Sequence, residues 1–154
     1  MIAKNIKAIH PKDLVFVILY GVLLPSLMGL LLGLIEYYVV AFIGFSFSFL
    51  FFWILAVVTG TLVRKQYETP HLLYTILTGI GIVFAAGVLF TVPILWGYLY
   101  DGMGISVFFQ VEIYIMFLVS ILNPVNWVTN FSFDLVISLL MLAVGTYIGV
   151  KRTL

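Results

Sequence analysis

The chain has 154 residues, of which 64% are hydrophobic and 8% charged. A soluble domain is about 25% charged, and a chain this short has too little interior to hide so much apolar surface. A mean hydropathy of +1.27 makes it an integral membrane protein, and a net charge of +1 gives no basic field for nucleic acid. There is no cysteine, which excludes disulfides, iron–sulfur clusters and thiolate zinc sites. His10 and His71 both flank apolar segments, so a buried bis-histidine haem site is not expected. No cofactor or metal is expected at all.

Residues 1–13 form a basic lead. Lys4, Lys7 and Lys12 alternate with Ile2, Ile6 and Ile9, which share one helical face. The lead is either an amphipathic turn on the membrane surface or a frayed positive tail. The apolar run after it exceeds the 7–15 residues of a signal peptide, and no Ala-x-Ala follows, so a retained span is expected.

Span one is 14–35, uncharged throughout and about 33 Å long as a helix, enough for a hydrocarbon core of about 30 Å. Gly21, Pro25, Gly29 and Gly33 recur every four residues, and Glu36 falls on the same side. Gly29 and Gly33 make a GxxxG match that admits another helix closely. Pro25 should bend the span and leave the Gly21 carbonyl without its usual donor, with Ser26 at hand to help. Glu36-Tyr37-Tyr38 marks the expected far interface.

Span two is 39–63. Phe42, Phe45, Phe49 and Phe52 make one ridge if the span is helical, facing lipid or a partner subunit. Phe45-Ser-Phe-Ser-Phe alternates like a strand, but an unpaired strand has no place in lipid. Arg64-Lys65 closes the span, and the polar loop 64–71 follows. Span three is 72–92, opened at Pro70, with Pro93 ending or kinking it. Trp96, Tyr98 and Tyr100 form a second aromatic belt. The segment 105–122 is barely long enough to cross and carries Gln110 and Glu112 without a positive flank. Asn123-Pro124-Val125-Asn126 breaks it. The last span is 133–150, capped by Ser132 or Asn130 and closed by Lys151-Arg152.

The positive-inside rule decides between layouts. Every basic residue falls on one side if four spans cross and 105–122 lies at the interface or re-enters. The alternative, five spans, puts Lys151-Arg152 outside. The expected fold is therefore an all-α four-span bundle with one non-crossing segment, in the cell membrane, with both termini cytoplasmic. Residues 55–65 also align without a gap to 142–152, an internal similarity that a parallel duplication would produce and that apolar low complexity can mimic.

The last span mirrors the first. Asp134, Ser138, Met141, Gly145 and Gly149 lie in one narrow arc, with Gly145 and Gly149 a second GxxxG. If the flank of Gly21, Gly29 and Gly33 meets that of Gly145 and Gly149, Glu36 and Asp134 come together at the outer end, and Glu112 can join from above. Such carboxylates would share a proton or hold a cation. The plain alternative is three solvated acids near the outer interface. The loop 64–71 reads as a hydrated surface, and Asn130-Phe131-Ser132 matches a glycosylation sequon too close to the membrane to weigh. No HExxH, GxSxG or phosphate-binding loop occurs, and no enzyme is expected. The leading expectation is a non-catalytic subunit of a larger membrane complex, its partners the bilayer and other membrane subunits or second copies of itself. The alternative is a small proton- or cation-linked transporter or channel.

Overall fold

The computed structural model describes residues 10–68, 71–100, 102, 104–129 and 132–154, with only the backbone of Tyr100 and Asp134. Among them there is no strand. The helices are α1 (Pro11–Ile43), α2 (Ser48–Arg64), α3 (Leu72–Tyr100), α4 (Val111–Leu122), α5 (Pro124–Thr129) and α6 (Phe133–Lys151), with a short 3-10 turn at Ile105–Phe109 before α4. Most of the basic lead, Pro70, Asn130 and the sequon's Phe131 lie outside the described residues.

Two helices are long and apolar enough to cross a membrane, Pro11–Ile43 and Leu72–Leu99. At 33 and 28 residues they reach about 50 and 42 Å. Ser48–Arg64, Val111–Leu122 and Leu135–Lys151 are shorter apolar helices. Both long helices outrun their expected ends. The first carries Glu36-Tyr37-Tyr38 within it and stops only at Gly44, whose φ of 75° is left-handed and whose N–H closes on Val40 O at 2.9 Å. Glycine tolerates that backbone and ends the helix where no polar residue announces a turn. The third expected span does not end at Pro93 but continues two turns to Tyr100, taking Trp96 and Tyr98 with it.

The phenylalanine ridge is therefore broken. Phe42 lies in the last turn of α1 and Phe45 in the turn after it, 86% and 64% exposed, while Phe52 is fully buried under α6. Phe47 and Ser46, placed in span two by the sequence, belong to the turn itself.

The hydrogen-bond ladder of α1 is disturbed next to Pro25. A π-helical turn occupies Leu19–Leu23 just ahead of it, and Ser26 Oγ donates to Val22 O at 2.6 Å. The Gly21 carbonyl, which the proline cannot serve, faces Gly81 of α3 so closely that a methyl there would overlap it. The arrangement repeats higher up with the roles exchanged. Pro93 of α3 cannot serve Leu89 O, and that carbonyl lies 3.0 Å from where a side chain on Gly33 of α1 would begin. Each proline-freed carbonyl thus meets a glycine of the other helix, where a Cα–H can approach it. Gly29 sits against the Ala85 carbonyl between them. The register rises on both helices together, so α1 and α3 run parallel.

The expected meeting of the first and last spans does not occur. The flank of Gly21, Gly29 and Gly33 packs on α3, whereas Gly145 and Gly149 receive Phe52, Ala56 and Ile82 from α2 and α3. Both flanks are packing faces, but each has a different partner. Gly60 of α2 meets the Gly149 carbonyl, so α2 and α6 also run parallel and end together. That is the relation the similarity of 55–65 to 142–152 implies. The central core is Phe52, Ala56, Ile82, Ala86, Leu89 and Leu142. The short helix α4 leans on α3 through Leu118 against Gly87 and Tyr114 among Val88, Val92 and Leu95.

The ends of α2 and α6 meet the start of α3. Tyr67 Oη donates to Thr153 O, and Thr153 Oγ1 lies 3.2 Å from Thr75 Oγ1. Burial pushes the Tyr67 phenol up, which keeps it a donor. Lys12 and Lys65 line one cavity at the same end, and Arg152 touches the Gly60 position. Lys12, Lys65 and Arg152 thus gather at one end of the bundle.

Candidate functional site

The most unusual group in the bundle is Glu36, a carboxylate 1% exposed in a helix of otherwise apolar character. A charge in such surroundings survives only with donors around it. They come from the turn between α1 and α2. Ser46 Oγ donates to Glu36 Oε1 at 2.6 Å and Ser48 Oγ at 2.9 Å. The Phe47 N–H is shared between Oε1 at 2.9 Å and Oε2 at 3.2 Å.

The local reason is that α2 starts badly. Its N-cap is Phe47, which has no side-chain acceptor for the free N–H groups at a helix start. Glu36 supplies that acceptor from the preceding helix, and its negative charge sits at the positive end of the α2 dipole. Ser46 and Ser48, spaced by two across the turn, complete the ring of donors. Sequence reasoning singled out Glu36 but missed these serines. The Phe-Ser-Phe-Ser alternation was the available signal: in lipid, two hydroxyls beside a helix start need an acceptor, and Glu36 is the nearest acid.

The other two expected carboxylates are placed differently. Glu112 is exposed in the first turn of α4, a favourable place for an acid at a helix start. Asp134 lies in the first turn of α6, its side chain outside the described residues. Ser132 Oγ accepts from Leu135 N–H at 3.2 Å and caps that helix. Among the described residues no three acids, histidines or cysteines gather as metal ligands. The start of α6 nevertheless comes near the α1–α2 turn at one point. Ser138, one turn beyond Asp134 on the same arc, lines a cavity of ≈ 220 Å³ together with Ser46 and Ser48.

At the opposite end, His10, Lys12, Asp13, Lys65 and Glu68 border a larger, polar recess of ≈ 580 Å³. Each end of the loop 64–71 carries a hydrogen bond between a side chain and the backbone. Arg64 donates to Tyr67 O at 2.9 Å, and His71 Nδ1 accepts the Leu73 N–H at 3.1 Å, capping α3.

No family model matches the chain, no curated protein matches it, and no solved structure matches it.

Proposed function

We propose that the chain is a four-span membrane protein serving as a non-catalytic accessory or structural subunit of a larger membrane assembly. The observation that carries this reading is where the polar atoms go. Ser26, Thr61, Thr78 and Thr91 return their hydroxyls to carbonyls of their own helices, and Glu36 braces the α1–α2 turn. These polar groups thus serve the fold, while Thr59 Oγ1, Trp96 Nε1 and Thr146 Oγ1 are buried without a hydrogen-bond partner among the described residues. Outside, large apolar side chains such as Phe42, Ile43 and Phe45 stand exposed around that turn, a surface suited to lipid or to another membrane subunit.

Four crossings are supported by length. The 17 residues of α2 and 19 of α6 reach about 26 and 28 Å, close to a hydrocarbon core of about 30 Å. The 12 residues of α4 reach only about 18 Å, which favours an interfacial or re-entrant place for it over a fifth crossing. With the basic ends of the helices on one side, the positive-inside rule puts both termini in the cytoplasm of a cell-membrane protein.

The chain has no cysteine, so single-cysteine variants report topology cleanly. Lys12→Cys, Gln66→Cys and Leu154→Cys should react with an impermeant thiol reagent from the cytoplasmic side only, and Ser106→Cys from the opposite side only. Labelling of positions 12 and 154 from different sides would rule out the four-span layout. For the subunit role, native mass spectrometry of the tagged protein from its own membranes should give a stoichiometric hetero-complex. A homogeneous homo-oligomer would favour the second reading instead.

That second reading is a small proton- or cation-linked transporter or channel built on Glu36, with Asp134 and Glu112 as further carboxylates. One observation favours it. No cation among the described residues lies within ion-pair reach of the buried Glu36, and an unneutralised acid inside a membrane bundle commonly marks an ion path.

A further inference from the structure

The ≈ 220 Å³ cavity beside Glu36 has a specific chemistry. Ser46 and Ser48 form its polar wall, Ser138 adds a third hydroxyl, and Phe49, Phe90 and Phe117 supply much of the rest. Ser46 and Ser48 both donate to Glu36 Oε1. A hydroxyl has one hydrogen and two lone pairs. With the hydrogen committed to the carboxylate, each serine has only lone pairs left for the cavity. Behind them lies the buried negative charge of Glu36. The phenyl rings add π faces, which are electron-rich.

Three features therefore point the same way. Acceptor lone pairs, a carboxylate without a cation among the described residues and a cluster of aromatic rings all attract positive charge. Phe49 and Phe90 already meet edge to face at 5.9 Å between centroids, a preformed corner of such a cluster. An anion would find one hydroxyl donor, on Ser138, and otherwise acceptors where it needs donors. A hydrated metal ion wants several oxygen ligands and retained water, and this wall is mostly carbon. The volume lies below the roughly 300–1,000 Å³ of drug-sized sites, so the ligand is compact.

We propose that this cavity binds a small organic cation, an alkylammonium group of quaternary or primary type. The proposal goes beyond the subunit role and stands without it. It also gives the transporter reading a ligand class, and binding is measured here without any transport assay, so the two fail separately.

The test is calorimetric titration of the full-length protein in nonionic detergent with tetramethylammonium and choline. The control is 3,3-dimethylbutan-1-ol, the neutral isostere of choline. The ammonium compounds should bind saturably, and the neutral isostere about tenfold more weakly or less. Glu36→Gln, which removes the charge and keeps an acceptor, should weaken ammonium binding about tenfold or more, and Phe117→Leu about tenfold. If Glu36→Gln fails to fold, as judged by circular dichroism and size-exclusion profile, Phe117→Leu decides, because Phe117 is half-buried on the peripheral α4. Equal binding of the neutral isostere, no ammonium binding in the millimolar range, or unchanged affinity in a folded Phe117→Leu protein each overturns the proposal.

Discussion

Replacing Glu36 with alanine should destabilise the bundle by about 3 kcal/mol, a large share of the roughly 5–15 kcal/mol that holds a domain folded. The substitution removes an acceptor that takes three donors at once. One of them has an alternative, since Ser46 Oγ already lies 3.1 Å from Ser48 Oγ and can donate to it. The Phe47 N–H has none, and a stranded buried donor costs about 1–3 kcal/mol. Loss of the cap on α2 adds about 1 kcal/mol. Glu36→Gln keeps one acceptor oxygen in place and should lose about half as much. Reversible unfolding in mixed micelles, followed by circular dichroism, reads both. Equal stability of the alanine variant and the native chain would mean that the clasp does not hold the turn.

Gly81→Ala should be comparably damaging although it adds only one methyl. That methyl meets the Gly21 carbonyl and, at 2.9 Å, the Val22 Cα. Both are backbone atoms, so no rotamer change relieves the overlap and α1 and α3 must move apart. Overpacking of this kind costs about 1–3 kcal/mol, and the upper end applies because the seam separates along its length. Against this stands a gain of about 1 kcal/mol from the better helix propensity of alanine. Gly97→Ala is the matched control. Its nearest neighbour is Tyr37 Cε2 at 3.9 Å, an ordinary contact, so there the propensity gain should appear as about 0.5–1 kcal/mol of added stability. The same unfolding assay separates the two, and a stabilising Gly81→Ala would contradict the parallel α1–α3 seam.

These two sites show unequal legibility in the sequence. Gly21, Gly29 and Gly33 stand out because their spacing matches a helix repeat, and the same holds for Gly145 and Gly149. What they pack against does not stand out. A glycine flank admits any helix, and the choice is made by what fits the notch. Gly81 receives the Gly21 carbonyl and Gly29 receives that of Ala85, while the Phe52 ring fills the gap at Gly145. Pairing the two flanks with each other was a guess from symmetry alone. The turn at Gly44 was hidden for a related reason. The glycine sits between Ile43 and Phe45, and the two serines that follow alternate with phenylalanines as they would along a strand, so the turn stood out little.

By itself the sequence marked the apolar character of the chain, 64% hydrophobic over 154 residues, and with it two stretches long enough to cross a membrane. It also carried the helical character of the chain, a disturbed helix ladder at Pro25, a cap at Ser132 or Asn130 and the faces that would pack, all of which follow from neighbours within a turn or two. Only the tertiary structure decided which faces meet, that Glu36 is enclosed by a turn 10–12 residues further on, and that two proline-freed carbonyls find glycines on opposite helices. Local patterns record the preferences of a helix with its surroundings. They do not record which of several equally apolar neighbours fits a given groove, and in this chain that fit fixes the structure.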